Sequence, residues 1–185
     1  MLYKNTVTTE TLDLIHRLMN DPKLEQFFLV GGTALSLKIG HRISIDIDLF
    51  TLENFDPNLL QDHILWNYGS NLKVIGTGAL MGLIDGVKVD FITHPYPHVQ
   101  PLDNLENIRM ASLQDIAAMK LNAVVGSGER IKDFVDLYYL LCAHEADVKL
   151  TTRMVECGKL LGVEVHDHII LSAYGYYSFM DEGMI

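Results

Sequence analysis

Along the first fifty residues the spacing of apolar positions changes more than once. Leu12, Ile15 and Met19 recur at helical intervals between threonines able to cap and an Asn-Asp-Pro stop, which predicts a helix over 9–20. The apolar run "QFFLVGG" reads as a short strand ended by Gly31 and Gly32, and "TALSLKIG" as a short helix that opens at Thr33 and closes on Gly40. "ISIDIDLF" alternates throughout. That predicts a strand over 43–50 with Ile43, Ile45, Ile47 and Leu49 toward the core and Ser44, Asp46, Asp48 and Phe50 on the other face.

After a Phe-Asp-Pro-Asn turn, Leu59, Leu60, Ile64 and Leu65 predict a helix over 58–68. The stretch "LKVIGTGALMGLIDGVKVDFITHPYP" reads as antiparallel strands, with Asp85-Gly86 a favoured two-residue hairpin turn. From Ser112 the period returns to 3.6, predicting helices near 113–125, 131–143, 151–161 and 166–178. The pattern describes an α+β chain: a small mixed or antiparallel sheet flanked by helices, then a C-terminal helical bundle. Residues 1–105 would carry the sheet and 106–185 the helical region, joined near "HPYPHVQPLDN".

The chain is 185 residues long, enough to bury a real core, and 49% apolar, which fits one globular domain with at most a small appendage. A formal charge of -10 argues against a broad basic face for gripping nucleic acid. Cys142 and Cys157 lack any zinc-ligand spacing and read as core cysteines in helices. The N-terminal stretch has neither the apolar block of a secretion signal nor the length of a membrane span, so the expected location is the cytoplasm, with no membrane partner.

Chemistry concentrates on a few positions. Asp46 and Asp48 leave the same face of their strand, where two carboxylates repel unless a cation intervenes. Mg²⁺, which takes one or two carboxylates and leaves its other positions to water and phosphates, suits them; a merely acidic outer face is the plain alternative. Asp90 in "VKVDFI" falls on a second alternating strand, outward with Lys88, and three carboxylates converge if the strands are neighbours. Gly31-Gly32 before a helix would aim backbone N–H groups at an anion, while Thr33 serves either as a helix cap or as a ligand.

Lys120 falls inside the apolar stripe of Leu113, Ile116, Ala117, Leu121 and Val124, so it either snorkels to the surface or reaches a phosphate in a cleft. Ser112 and Asp115 read as a capping box. In "RIKDFVDLYYLL", Ile131, Phe134, Val135 and Tyr138 define one face and Lys132, Asp133 and Asp136 the other, a solvated face on the simplest reading. Like charges at 133 and 136 weaken a helix slightly and are not there for its stability. Of the basic pair His41 and Arg42, Arg42 is the candidate phosphate contact. Tyr174, Tyr176, Tyr177 and Phe179 read as core aromatics of the last helix.

Gly31-Gly32, Asp46-x-Asp48 and Asp90, in that order, resemble the signature of the nucleotidyltransferase superfamily to which DNA polymerase β belongs. More narrowly, "GGTALSLKIGHRISIDIDLFT", "SLQDIAAMKLNAV" and "RIKDFVDLYYLL" resemble the AbiEii/AbiGii family of toxin nucleotidyltransferases, over about residues 29–142. The resemblance implies the nucleotidyltransferase fold, a nucleoside triphosphate substrate, Mg²⁺ as a pair of ions, and transfer of a nucleotide to an acceptor, tRNA in relatives. It also implies an antitoxin partner with a winged-helix DNA-binding domain, the type IV toxin–antitoxin arrangement.

By the same resemblance Gly31, Gly32 and Thr33 would hold phosphates, and Asp46 and Asp48 would ligate metal. Asp90 would complete that site or act as base, and Lys120, Lys132 and Asp133 would line the cleft, with Asp136 the lesser candidate; Arg130, like Arg42, is a candidate phosphate contact on its own chemistry. Two other classes fit the same residues: a small-molecule nucleotidyltransferase of the antibiotic-modifying kind, whose cationic acceptor suits an acidic chain, and a nucleotide-binding module without turnover that acts through a partner.

Overall fold

Helix α1 (Thr9–Met19) starts at a cap supplied by its own sequence, the Thr8 hydroxyl accepting from the Thr11 amide, and it buries Leu14, Ile15 and Leu18. A computed structural model describes residues 2–126, 130–142, 147–162, 164–172, 175–178 and 180–181. Two compact units divide the chain, Met1–Asp136 and Leu137–Ile185.

In the first unit the buried strand β1 (Phe28–Val30) runs straight into helix α2 (Gly31–Ile39), which ends on Gly40 in the left-handed region. Strand β2 (Ile47–Thr51) follows, then helix α3 (Pro57–Tyr68), whose Asn58 and Leu59 amides are capped by Asp56. Strands β3 (Lys73–Ile75), β4 (Ala79–Ile84) and β5 (Val87–Thr93) form the expected antiparallel set. Asp85 and Gly86 both take positive φ at the β4–β5 turn, as a two-residue hairpin of this type requires. Strands β6 (Asp103–Leu105) and β7 (Ile108–Met110), then helices α4 (Leu113–Gly126) and α5 (Ile131–Cys142), complete the path to the unit boundary.

The seven strands form one sheet in the order β3-β4-β5-β2-β1-β7-β6. Neighbours are antiparallel except β2 with β5 and β1 with β7, which run parallel. Ile47 and Leu49 of β2, Val89 and Phe91 of β5, and Leu29 of β1 are each at most 1% exposed and form the core beneath the sheet's centre. The alternation of β2 and β5 therefore works as read from Ile47 onward, with Asp48 and Asp90 left on the opposite face.

Before Ile47 it does not. The strand begins at Ile47 rather than residue 43, Ile43 and Ile45 are 71% and 57% exposed, and Ser44 is buried. Hydrogen bonds outside the sheet decide this: the Ser44 amide donates to the Thr6 carbonyl at 2.8 Å, and the Thr33 hydroxyl donates to Ser44 Oγ at 2.8 Å and to the Asp46 carbonyl. The second helix opens at Gly31, two residues earlier than expected, so Thr33 lies inside it and is not its cap. The β6–β7 hairpin escapes the sequence pattern because its turn places Glu106 and Asn107 at positive φ, a conformation rarely signalled by glutamate.

The second unit contains helix α6 (Asp147–Leu161) and a separate hairpin, β8 (Ile169–Ser172) with β9 (Gly175–Ser178). The helix expected over 166–178 is thus a pair of strands. Its β-branched and aromatic residues suit a pleated ladder, and Asp167 ties the ends together, accepting from the His168 and Met180 amides and the Ser178 hydroxyl. Cys157 is exposed, not a core residue. Tyr174 and Phe179 lie outside the described residues.

The start of α4 combines a cap with a loop clamp. Ser112 Oγ accepts from the Asp115 amide at 3.0 Å, and the buried Asp115 carboxylate accepts from the Ser112 hydroxyl and from the Val99 and Gln100 amides at 2.7 and 3.2 Å. Asp115→Ala is expected to cost about 2–3 kcal/mol by leaving these donors unpaired. Urea unfolding would show a lower midpoint with an unchanged slope.

Candidate active site

Parallel pairing of β2 with β5 places Asp48 directly opposite Asp90. Like charges in that position repel, and burial removes the water that would screen them. Burial, followed by Asp90, pushes the Asp48 carboxyl above its usual range, with Asp46 adding to the effect and Lys88 and Lys120 opposing it. Asp90 is 6% exposed; its Oδ2 accepts from the Lys88 ammonium, and its Oδ1 is buried with no hydrogen-bond partner. Burial works against the charge on Lys88, but the bond to Asp90 and the fields of Asp90, Asp48 and Asp46 raise its pKa.

The β1–α2 corner closes on these carboxylates. Val30 pairs with Asp48 across the sheet, and Gly31, at φ +69°, lies so close that a Cβ there would collide with Asp48 Oδ2. A Cβ on Gly32 would collide with the Arg42 guanidinium. Gly31 is thus required by its positive φ and its close approach to Asp48, whereas at Gly32 the neighbour is the end of the Arg42 side chain; α2 begins beside Asp48, and the first-turn amides of a helix have no intrahelical partners. Thr33, 1% exposed, is turned inward and holds the 44–46 segment that carries Asp46.

Helix α5 presents its polar face to the protein and its apolar face outward, the reverse of the sequence reading. Asp133 and Asp136 are 3% and 0% exposed, whereas Ile131 and Phe134 are 79% and 48% exposed. The cause is a set of buried cations. Lys120 of α4 contacts Asp133 Oδ1 at 2.6 Å and Asp136 Oδ2 at 2.7 Å, so it neither snorkels nor stands alone. Arg42 donates Nε and Nη2 to the two oxygens of Asp136 at 2.6 and 2.9 Å, and His41 Nε2 lies 2.7 Å from Oδ1. Burial alone would raise the Asp136 carboxyl, but hydrogen bonds from Arg42, His41 and Lys120 hold it well below the usual carboxylate range. The same burial lowers the His41 imidazole against the pull of Asp136.

A cleft of about 520 Å³ gathers nearly all these groups. Gly31, Gly32, Arg42, Asp46, Asp48, Asp90, Lys120, Arg130, Lys132 and Asp133 line it, and Thr33 is absent from its wall. Arg130 and Lys132 stand exposed at its edge, Arg130 3.8 Å from Asp133. Sequence reasoning did not foresee the apolar side, made by Ile43, Ile45, Met81, Ile92, Ile116 and Met119, nor the buried His41 and the Lys88 contact. Lys88 was legible in principle, since residues two apart on a strand share a face.

The buried, unpartnered Asp90 Oδ1 and the Asp48 carboxylate opposite it offer oxygen ligands to a cation. The donor set, all hard carboxylate oxygen, suits Mg²⁺. Among the described residues, however, no three potential ligands stand close enough together to hold a metal as the side chains lie.

The structure is similar to "JHP933 from Helicobacter pylori" (TM-score 0.52, 20% identity, 83% of this chain and 76% of that one). It is also similar to "ANT(2")-Ia in complex with adenylyl-2"-tobramycin" (TM-score 0.54, 15% identity, 80% and 94%). At such identities the likeness establishes the fold, which is the nucleotidyltransferase fold. The chain belongs to the AbiEii family: the family description "Nucleotidyl transferase AbiEii toxin, Type IV TA system" matches residues 13–65 and 71–160. Uncharacterized protein aq_aa25 of Aquifex aeolicus is 35% identical over 140 residues, 70% of this chain and 65% of that protein. Residues 142–184 also match the RadC-like JAB domain family. A UPF0758 protein of Alkaliphilus metalliredigens is 51% identical over 39 residues, 21% of this chain and 17% of its own length. The chain thus spans less than two thirds of each of these relatives.

Asp136 supports a stability prediction. An acid depressed in the folded state stabilises the fold above its unfolded value, near 4, and loses that contribution as pH falls toward its folded value. Asp136→Asn is expected to cost about 2–3 kcal/mol at pH 7, because Arg42 and His41 lose their carboxylate while Lys120 keeps only Asp133. The gap to the parent protein should narrow below about pH 4. A gap that stays constant down to pH 2 in chemical denaturation would contradict the assignment.

Proposed function

We propose that the chain transfers a nucleoside monophosphate from a nucleoside triphosphate to an acceptor hydroxyl, with tRNA as the acceptor, as the toxin of a type IV toxin–antitoxin pair. One observation carries this reading: Asp48 and Asp90 face each other across parallel strands, with Gly31 too close to Asp48 for a side chain, within a cleft lined by Arg42, Lys120, Arg130 and Lys132. Membership of the AbiEii family supports the same class of reaction.

In the proposed reaction the acceptor oxygen attacks the α-phosphorus, the bond to the pyrophosphate oxygen breaks, and pyrophosphate carries away the electron pair. Asp90, with its free buried oxygen, takes the proton of the attacking hydroxyl. Gly31 and Gly32 amides, Arg42, Arg130 and Lys132 hold the triphosphate, and Lys120, fixed by Asp133 and Asp136, offsets charge on the departing phosphates. The apolar wall of Ile92, Ile116 and Met119 offers the base a dry surface. Asp46, Asp48 and Asp90 would hold Mg²⁺, which supplies charge neutralisation on the transferring phosphoryl group. A winged-helix antitoxin is the partner this reading implies.

Incubation of the purified chain with each α-labelled triphosphate and total RNA tests the reading. Label is expected on RNA of tRNA size, and Asp48→Asn should lower it at least about a hundredfold while near-parental circular dichroism is retained. Label confined to small cationic acceptors would replace the RNA reading with the small-molecule one, which the net charge of -10 favours. Undiminished labelling by Asp48→Asn would remove the aspartates from the mechanism.

A further inference from the structure

Lys88 and Asp90 lie two apart on β5, on one face, and the Lys88 ammonium donates to Asp90 Oδ2. The side chains are 50% and 9% exposed, so the cation reaches from the open side of the sheet to a nearly buried carboxylate. Asp48 stands opposite Asp90, and the close approach of Gly31 leaves Asp48 little room to turn away. Lys120 and Arg42, the less exposed cations of the cleft, are engaged elsewhere: Lys120 bonds Asp133 and Asp136, and Arg42 bonds Asp136. Among the described residues Lys88 is therefore the cation bonded to the strand carboxylates. In this arrangement no three carboxylate, imidazole or thiol groups among the described residues are gathered closely enough for a metal.

We propose that Lys88 is the resident counter-cation of this site and competes with a divalent metal ion for Asp90. In the metal-free protein the ammonium offsets the repulsion between Asp48 and Asp90, and on metal binding it releases Asp90 Oδ2 to the ion. A half-exposed lysine on a four-carbon stem can make that exchange by rotating into water, with no movement of the backbone. The exchange makes metal binding weaker than the carboxylates alone would give, and links it to what draws Lys88 away, such as the phosphates of a bound triphosphate. This inference rests on the reading of Asp46, Asp48 and Asp90 as metal ligands.

Manganese titration of the nucleotide-free chain, followed by calorimetry and by the electron paramagnetic resonance of free Mn²⁺, tests it with the parent protein, Lys88→Met and Lys88→Arg. Lys88→Met keeps an apolar stem and removes the charge; it is expected to bind Mn²⁺ about tenfold more tightly and to melt at a lower temperature in EDTA. Lys88→Arg, which keeps the charge, should bind no more tightly than the parent. Equal affinity in parent and Lys88→Met overturns the competition and leaves the metal reading standing. Weaker binding by Lys88→Met overturns it too, making Lys88 a support of the metal site. Absence of Mn²⁺ binding in all three overturns both this inference and the metal reading.

Discussion

Two strands that run parallel cannot avoid placing equivalent residues side by side, and in β2 and β5 those residues are Asp48 and Asp90. Ile47, Leu49, Val89 and Phe91 on the opposite face fix both strands in the core, so neither carboxylate can leave without displacing buried apolar surface. The fold therefore stores a repulsion at one defined spot. Positive charge gathers around the spot, with Lys88 on Asp90 and the cations of α4 and α5 along the same cleft, although Asp46 adds to the repulsion. A rigid pair of acids with a need for positive charge is a suitable seat for a cation and the phosphates it accompanies.

The ion cluster under α5 does a second job. Buried ion pairs are poor sources of net stability, since desolvation consumes most of the attraction. Here they join three stretches distant in sequence: the loop after α2 through His41 and Arg42, α4 through Lys120, and α5 through Asp133 and Asp136. Arg42 is held over Gly32 by that bonding, and Lys120 is set at the cleft wall. The cluster acts as scaffold for the cationic side of the cleft, which explains why α5 turns its charged residues inward and leaves Ile131 and Phe134 in the open.

Much of this was legible. The period-two runs marked β2 from Ile47 and residues 87–92 of β5, the Asp-Gly turn marked the β4–β5 hairpin, and the two glycines and three aspartates singled out in the sequence line one cleft. Pairing partners were not legible, because alternation says which face a side chain takes and nothing about which strand lies beside it. Ile43 and Ile45 misled for a related reason: their alternation is that of a strand, but bonds from Thr6 and Thr33 pull the segment out of the sheet. Helix α5 misled because amphipathicity gives two faces without saying which is inside, and here the protein's interior is charged. At the other end, Ile169, Ile170, Tyr176 and Tyr177 are better strand than helix formers, and a short window of apolar spacing could not separate the two.

Cocrystallisation with Mn²⁺ and a non-hydrolysable nucleoside triphosphate tests the central claim most directly, because manganese scatters anomalously and can be located without assumption. The account predicts an anomalous peak in contact with carboxylate oxygens of Asp48 and Asp90, with the triphosphate against Gly31 and Gly32 and the Lys88 ammonium withdrawn from Asp90. A nucleotide bound outside the cleft, or a metal that ignores both strand carboxylates while Lys88 keeps its place, would contradict it.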